Sequence, residues 1–139
     1  MKQIPVIFWT GTGNTQMMAD AVAEAINAAG AEAVVKNVSE TSADEAAGYD
    51  ALALGCPAMG AEVLEECEFE PFFTELEGKL AGKKVALFGS YGWGGSYMQD
   101  WEARVKDAGA ELVADGVLAL GAPDDEAMAK LAEAGKLLA

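Results

Sequence analysis

Apolar and polar positions along the chain follow two alternating rhythms. Short continuous apolar runs, such as Val6-Ile7-Phe8-Trp9, Ala51-Leu52-Ala53-Leu54 and Val85-Ala86-Leu87-Phe88, each empty into glycine, hydroxyl, thiol or amide residues. Between them lie longer stretches with apolar residues three or four apart: Met18, Val22, Ile26 and Ala29, then Met98, Trp101, Val105 and Ala108, then Met128, Leu131, Gly135 and Leu138. The short runs read as strands covered on both faces, the long ones as helices with one buried stripe. The first strand therefore leads to a helix starting near Gln16 and stopped by Gly30, and a second strand occupies 32–38 around Val34, Val35 and Val38. A loop with a short helical turn follows at 41–48, then a strand at 50–55 and a helix at 71–80 ended by Gly82. A strand at 84–88, a helix at 97–108 stopped by Gly109, and a fifth strand within 111–120 come next. Asp124-Asp125-Glu126 then places negative charge at the start of the last helix.

Strand and helix thus alternate five times without a linker, repeat or low-complexity tract. That order predicts a single α/β domain over 1–139: a five-stranded parallel sheet with right-handed crossovers and helices on both faces, a three-layer sandwich. For an open sheet of this kind the expected strand order is 2-1-3-4-5, with a ligand beyond the carboxyl ends of the first and third strands.

Composition narrows the partners. With 52% apolar and 23% charged residues, 139 residues suffice for one substantial core. The net charge of −14 argues against nucleic acid or an anionic membrane and favours a basic protein partner, although solubility alone is an equally plain use of an acidic surface. No lysine or arginine occurs at 3–35 or 37–78, so the first loop lacks a local cation. No charged-then-apolar leader opens the chain, and no apolar run approaches the ~20 residues of a membrane span, so a cytoplasmic monomer is expected. Cys56 and Cys67 form no Cys-x-x-Cys pair, and with no histidine present no zinc site is expected; both cysteines read as reduced, packed thiols.

Three loops fall at the predicted ligand edge. The first, Thr10-Gly11-Thr12-Gly13-Asn14-Thr15, lacks the lysine of a P-loop, the third glycine of a dinucleotide fingerprint, and the cysteine and arginine of a phosphatase loop. What remains are backbone N–H groups, hydroxyls and an amide at a helix N-terminus, suited to a phosphate monoester that is held and not transferred. The same residues would serve equally as a helix cap and turn.

The other two loops favour the ligand. Gly92-Trp93-Gly94-Gly95, following Ser90-Tyr91, sets a large aromatic between permissive residues where it could stack on a flat conjugated ring. In Pro57-Ala58-Met59-Gly60-Ala61-Glu62, Met59 can cover the opposite face of such a ring and Gly60 can rotate its peptide at low cost. Glu62 can accept a ring N–H, or stand as a solvated glutamate in an acidic stretch. A phosphate cradle, two ring-covering side chains and glycine backbone together describe a flavin mononucleotide (FMN) site, with no accompanying nucleophile or acid–base constellation.

At these residues the chain resembles the flavodoxins, specifically the short-chain type of anaerobic bacteria. The matching pieces are Trp9-Thr10-Gly11-Thr12-Gly13-Asn14-Thr15, Leu54-Gly55-Cys56-Pro57-Ala58-Met59-Gly60, Glu65-Glu66 with Glu70-Pro71-Phe72, Gly82-Lys83-Lys84-Val85, and Phe88-Gly89-Ser90-Tyr91-Gly92-Trp93-Gly94. The resemblance implies that Thr10, Thr12, Asn14 and Thr15 hold the phosphate with backbone from Gly11 and Gly13, and that Met59 and Trp93 sandwich the isoalloxazine. It further implies that the Gly60 carbonyl turns toward N5 on reduction, that Glu62 faces the pyrimidine side, and that backbone around Tyr91, Gly92 and Gly94 meets the polar edge. Thr10 stands where relatives commonly have serine, Ala61 where they often carry a polar residue, and the segment after Trp93 is one residue shorter.

The implied function is a low-potential one-electron carrier with non-covalently bound FMN. It would shuttle mainly between semiquinone and hydroquinone and deliver electrons to redox proteins with basic docking surfaces, without substrate turnover of its own. The alternative is a small FMN-dependent quinone or NAD(P)H reductase. A non-redox phosphate-ligand sensor is disfavoured by Met59 and Trp93, and a phosphoacceptor receiver by Gly55-Cys56 where an aspartate would be required.

Overall fold

The computed structural model describes residues 2–9, 13–57, 64–65, 67–91 and 97–139. Along them run β1 (Gln3–Phe8), α1 (Asn14–Ala28), β2 (Glu32–Asn37), α2 (Ala43–Ala46), β3 (Ala51–Gly55) and α3 (Phe69–Glu77). Then come β4 (Lys84–Tyr91), α4 (Tyr97–Asp107), β5 (Glu111–Leu112), β6 (Val117–Leu120) and α5 (Asp125–Leu138), with a 3-10 turn at Val38–Glu40.

The strands pair in parallel in the order β2-β1-β3-β4-β5, and β6 also pairs with β4. This is the expected 2-1-3-4-5 order, with the fifth position shared by two short segments. The break falls where the Gly116 N–H donates to a Glu102 carboxylate oxygen at 2.7 Å, drawing the chain toward α4. A Cβ on Gly116 would stand 2.4 Å from Met98 Sδ, so any side chain there would displace the Met98 thioether.

Register sets the shape of the sheet's carboxyl edge. Phe8, Gly55 and Phe88 share one row across β1, β3 and β4. The Trp9 N–H donates to the Gly55 carbonyl at 3.0 Å and the Cys56 N–H to the Phe88 carbonyl at 3.1 Å, after which β1 and β3 leave the sheet. β4 continues through Gly89, Ser90 and Tyr91, paired with Leu118, Ala119 and Leu120 of β6. The edge is therefore stepped, with β4 projecting beyond its inner neighbours.

Alternate residues of each strand enter opposite cores, which explains the unbroken apolar runs. Ile4, Val6, Phe8, Ala53 and Phe88 pack with α1 and α5, whereas Ile7, Leu52, Leu54, Val85 and Leu87 pack with α2, α3 and α4. In the first layer α1 and α5 approach so closely that a Cβ on Gly135 would lie 2.7 Å from Ala25 Cβ. In the second, Arg104 of α4 holds both carboxylate oxygens of Glu70 at 2.7 and 2.9 Å, reaches Glu77 at 3.1 Å, and lies over the Phe73 ring at 4.7 Å. That clamp joins α3 to α4. The Arg104 hydrogen bond is also the main reason the Glu70 carboxyl is held below its ordinary range.

Gly30 ends the first helix in the left-handed region at φ 98°. Asp124 caps α5 by accepting the Ala127 N–H at 2.8 Å, with Asp125 and Glu126 in the first turn. Three sequence expectations are corrected: Ala29 and Met128 are exposed rather than part of the buried stripes, and Cys67 is an exposed thiol rather than a packed one. The helix expected at 71–80 instead spans Phe69–Glu77, with Pro71 in its first turn, where the missing N–H costs little. Among the described residues no helix is long and apolar enough to cross a membrane.

Candidate functional site

β1 lies between β2 and β3, and the helices that follow β1 and β3, α1 and α3, pack on opposite faces of the sheet, the arrangement in which a ligand crevice is expected at this edge. α1 begins at that edge. Gly13, at φ 91° and ψ −10°, turns the chain into the helix, and its carbonyl accepts the Met17 N–H at 3.1 Å. No described side chain caps this helix and no acidic residue stands in its first turn, whereas α2, α3, α4 and α5 all carry one there. Among the described residues, then, no side chain compensates the positive end of α1, the arrangement that suits an anion.

Thr15 sits in the first turn of α1 at 1% exposure, with its hydroxyl 3.5 Å from Ser90 Oγ, itself 6% exposed, on the projecting part of β4. The step in the sheet edge is what brings a residue of β4 to the start of α1. Asn14 and Tyr91 are half-buried beside them, and the Tyr91 carbonyl accepts the Gly121 N–H at 2.9 Å. Pro57, half-buried, begins the loop after β3.

That loop is tied at its base. The Cys56 thiol accepts the Glu65 N–H at 3.3 Å and donates to the Pro57 carbonyl at 3.5 Å. Burial pushes the Cys56 thiol up to about 12, so it remains protonated at neutral pH and is structural rather than reactive. Burial would also raise the Glu65 carboxyl, but N–H donors from Phe69, Glu68 and Cys67 outweigh it and hold this group below the ordinary carboxylate range. Glu65 thereby caps α3 and closes the loop at Cys56. Trp9, following β1, donates from Nε1 to Glu68 at 3.4 Å, and the Tyr97 hydroxyl at the start of α4 donates to the Cys56 carbonyl at 2.8 Å.

Of the residues expected to form the site, Gly13, Asn14, Thr15, Pro57, Ser90 and Tyr91 lie at this one edge. Thr10, Gly11, Thr12, Ala58, Met59, Gly60, Ala61, Glu62, Gly92, Trp93 and Gly94 lie outside the described residues. Their loops are rooted in a common frame, because the flanks Trp9, Cys56, Glu65, Ser90 and Tyr97 bond across from one loop to another. Sequence reasoning placed Cys56 only as a packed thiol and Tyr97 only as the first residue of a helix. Neither type announces a long-range hydrogen bond, so no signal for the frame existed in the sequence. Lys36, opposite Ile7 in register, is engaged by Glu45 at 3.2 Å. Among the described residues no cluster of three or more histidine, cysteine, aspartate or glutamate side chains could hold a metal ion.

A family model described as flavodoxin matches residues 6–135. The chain is 47% identical over 135 residues to the flavodoxin of Clostridium beijerinckii, covering 96% of this chain and 97% of that one. It is 47% identical over 116 residues to the flavodoxin of Megasphaera elsdenii, covering 83% and 85% respectively. The solution structure of the two-electron-reduced Megasphaera elsdenii protein superposes with a TM-score of 0.88 at 44% identity, over 96% of this chain and 98% of that one.

Proposed function

The chain belongs to the flavodoxin family, and from that premise we propose that it is a one-electron carrier holding FMN non-covalently at the carboxyl edge of its sheet. The observation that carries this reading is the start of α1: a helix N-terminus at the carboxyl edge of the sheet with no acidic residue in its first turn and no capping side chain among the described residues, and with the Thr15 hydroxyl set against Ser90. An anionic phosphate fits it, and no described carboxylate competes there.

When bound, FMN supplies one-electron redox chemistry at its isoalloxazine ring; the protein supplies binding, orientation and electrostatics. Thr10, Thr12, Asn14 and Thr15, with backbone of Gly11 and Gly13, would hold the phosphate. Met59 and Trp93 would cover the ring, Gly60 would offer its carbonyl and Glu62 an acceptor for the pyrimidine side. Pro57, Ala58 and Ala61 would complete the loop after β3, and Ser90 with backbone of Tyr91, Gly92 and Gly94 would meet the polar edge. The net charge of −14, with no lysine or arginine at 3–35 or 37–78, would oppose the arrival of further electrons on bound FMN and lower its potential. The same acidic surface suits redox proteins with basic docking faces, and the carrier turns over no substrate of its own.

Reconstitution tests this. The protein incubated with FMN should turn yellow, and anaerobic potentiometric titration should resolve two one-electron steps in the visible spectrum. NADPH alone should not reduce the complex. A protein that takes up no FMN sinks the reading, and steady NADPH oxidation coupled to a quinone would establish the reductase in its place.

A further inference from the structure

Tyr97 and Cys56 are 41 positions apart, both buried, and joined by the 2.8 Å bond from the Tyr97 hydroxyl to the Cys56 carbonyl. Their places in the chain are what matter. Cys56 is the residue at which the chain leaves the sheet for the loop carrying Met59 and Gly60, and Tyr97 is the first residue after the segment carrying Trp93. We propose that Tyr97 is a positioning residue for FMN: its hydroxyl, held on the Cys56 carbonyl, fixes the end of β3 against the start of α4, the two flanks from which the loops carrying Met59 and Trp93 depart. The inference rests on the FMN reading above.

Two further observations support it. Gly89 of β4 lies beneath the bond, and a Cβ there would stand 2.1 Å from the Cys56 oxygen and 2.2 Å from the Tyr97 hydroxyl. The sheet thus leaves a side-chain-free gap for this bond to cross. The Tyr97 ring is also fixed in place: it stacks on Trp101 at 6.5 Å, and Trp101 meets Phe69 and Phe73 of α3 edge-on at 5.5 and 5.9 Å. A hydroxyl on a ring held this way defines a position rather than following one. A rigid flat ligand gripped from both sides is sensitive to that position, because the binding energy lost to reordering the loops is subtracted from affinity.

Removing one hydroxyl separates positioning from packing. Tyr97→Phe keeps the ring on Trp101 and deletes the hydroxyl that bonds the Cys56 carbonyl. FMN should dissociate from it with a Kd roughly three- to tenfold higher, the loss of one buried hydrogen bond. The visible circular dichroism of the bound flavin and the separation of its two reduction potentials should also change, which a purely structural role would not produce. Ile26→Val, in the opposite core layer, controls for general destabilisation and should leave Kd, dichroism and potentials at parental values. The proposal is overturned if Tyr97→Phe matches the parent in Kd, dichroism and potentials, or if Ile26→Val shifts them equally. A parent that binds no FMN removes both this proposal and the reading it rests on, whereas a parent that binds FMN with an indifferent Tyr97→Phe removes this proposal alone.

Discussion

Gly89 shows how a single missing side chain can be fixed by what crosses above it. Its absent Cβ would meet a backbone carbonyl, and backbone cannot swing aside as a side-chain tip can. Gly89→Ala should lower the unfolding free energy of the apoprotein by about 2 kcal/mol or more in urea. Adding Tyr97→Phe should not restore it, since the Cys56 oxygen remains 2.1 Å from the new methyl. Restoration by the double variant would show that the hydroxyl, and not the carbonyl, excludes the side chain. From the sequence alone, Gly89 was one of several glycines in a loop. Met128 and Ala29 were misplaced for a related reason, since periodicity assigns a residue to a face but not the distance to which a neighbour covers that face, whereas Cys67 was read as packed from its residue type alone. Met128, in the first turn of α5, is 41% exposed, whereas Leu131 one turn on is fully buried.

The elements themselves are held by a few side chains whose titration can be read. Glu65 caps α3 with a carboxylate accepting three N–H groups, and its folded-state pKa is depressed below the ordinary 4.5. A group depressed on folding binds more protons in the unfolded chain, so its stabilising contribution is fully present above pH 4.5 and is lost as pH falls through the lower, folded value. Glu65→Gln should therefore cost stability at pH 7 by about 1–2 kcal/mol, as loss of a helix cap does, and show a shallower decline on acidification below pH 4.5. Equal acid slopes for parent and variant in pH-dependent urea unfolding would contradict this. The order of strands and helices was legible because each segment repeats its own period several times. The start of α3 was not, because its cap lies four residues ahead of the helix and acts by a hydrogen-bond fan that periodicity does not register. The single fifth strand was likewise an extrapolation across Asp115-Gly116, where the chain turns toward α4.

At the scale of the whole molecule, the net −14 repels itself in the compact state. Raising ionic strength from 0.01 to 0.1 M shortens the Debye length from about 30 to about 10 Å and should relieve that repulsion. The Tm of the apoprotein should then rise by a few degrees, on the order of 1 kcal/mol, read by calorimetry at pH 7. A flat or falling Tm would mean that local pairs such as Arg104 with Glu70 and Glu77 dominate the balance. The topology and the site's edge followed from the rhythm of the chain and from which strands end in unusual loops. The frame joining those loops did not, because it depends on residues brought together only by the finished sheet.

That dependence also orders events in time. The hydroxyls of Thr15 and Ser90 that meet at 3.5 Å are separated by 75 positions in the chain. Closing so long a loop is slow and entropically costly, and it cannot happen before β4 has been made and docked. On the FMN reading, the start of α1 can therefore meet its partner on β4 only after residues up to Ser90 have been made and docked, and cofactor uptake is expected to follow that docking rather than precede it.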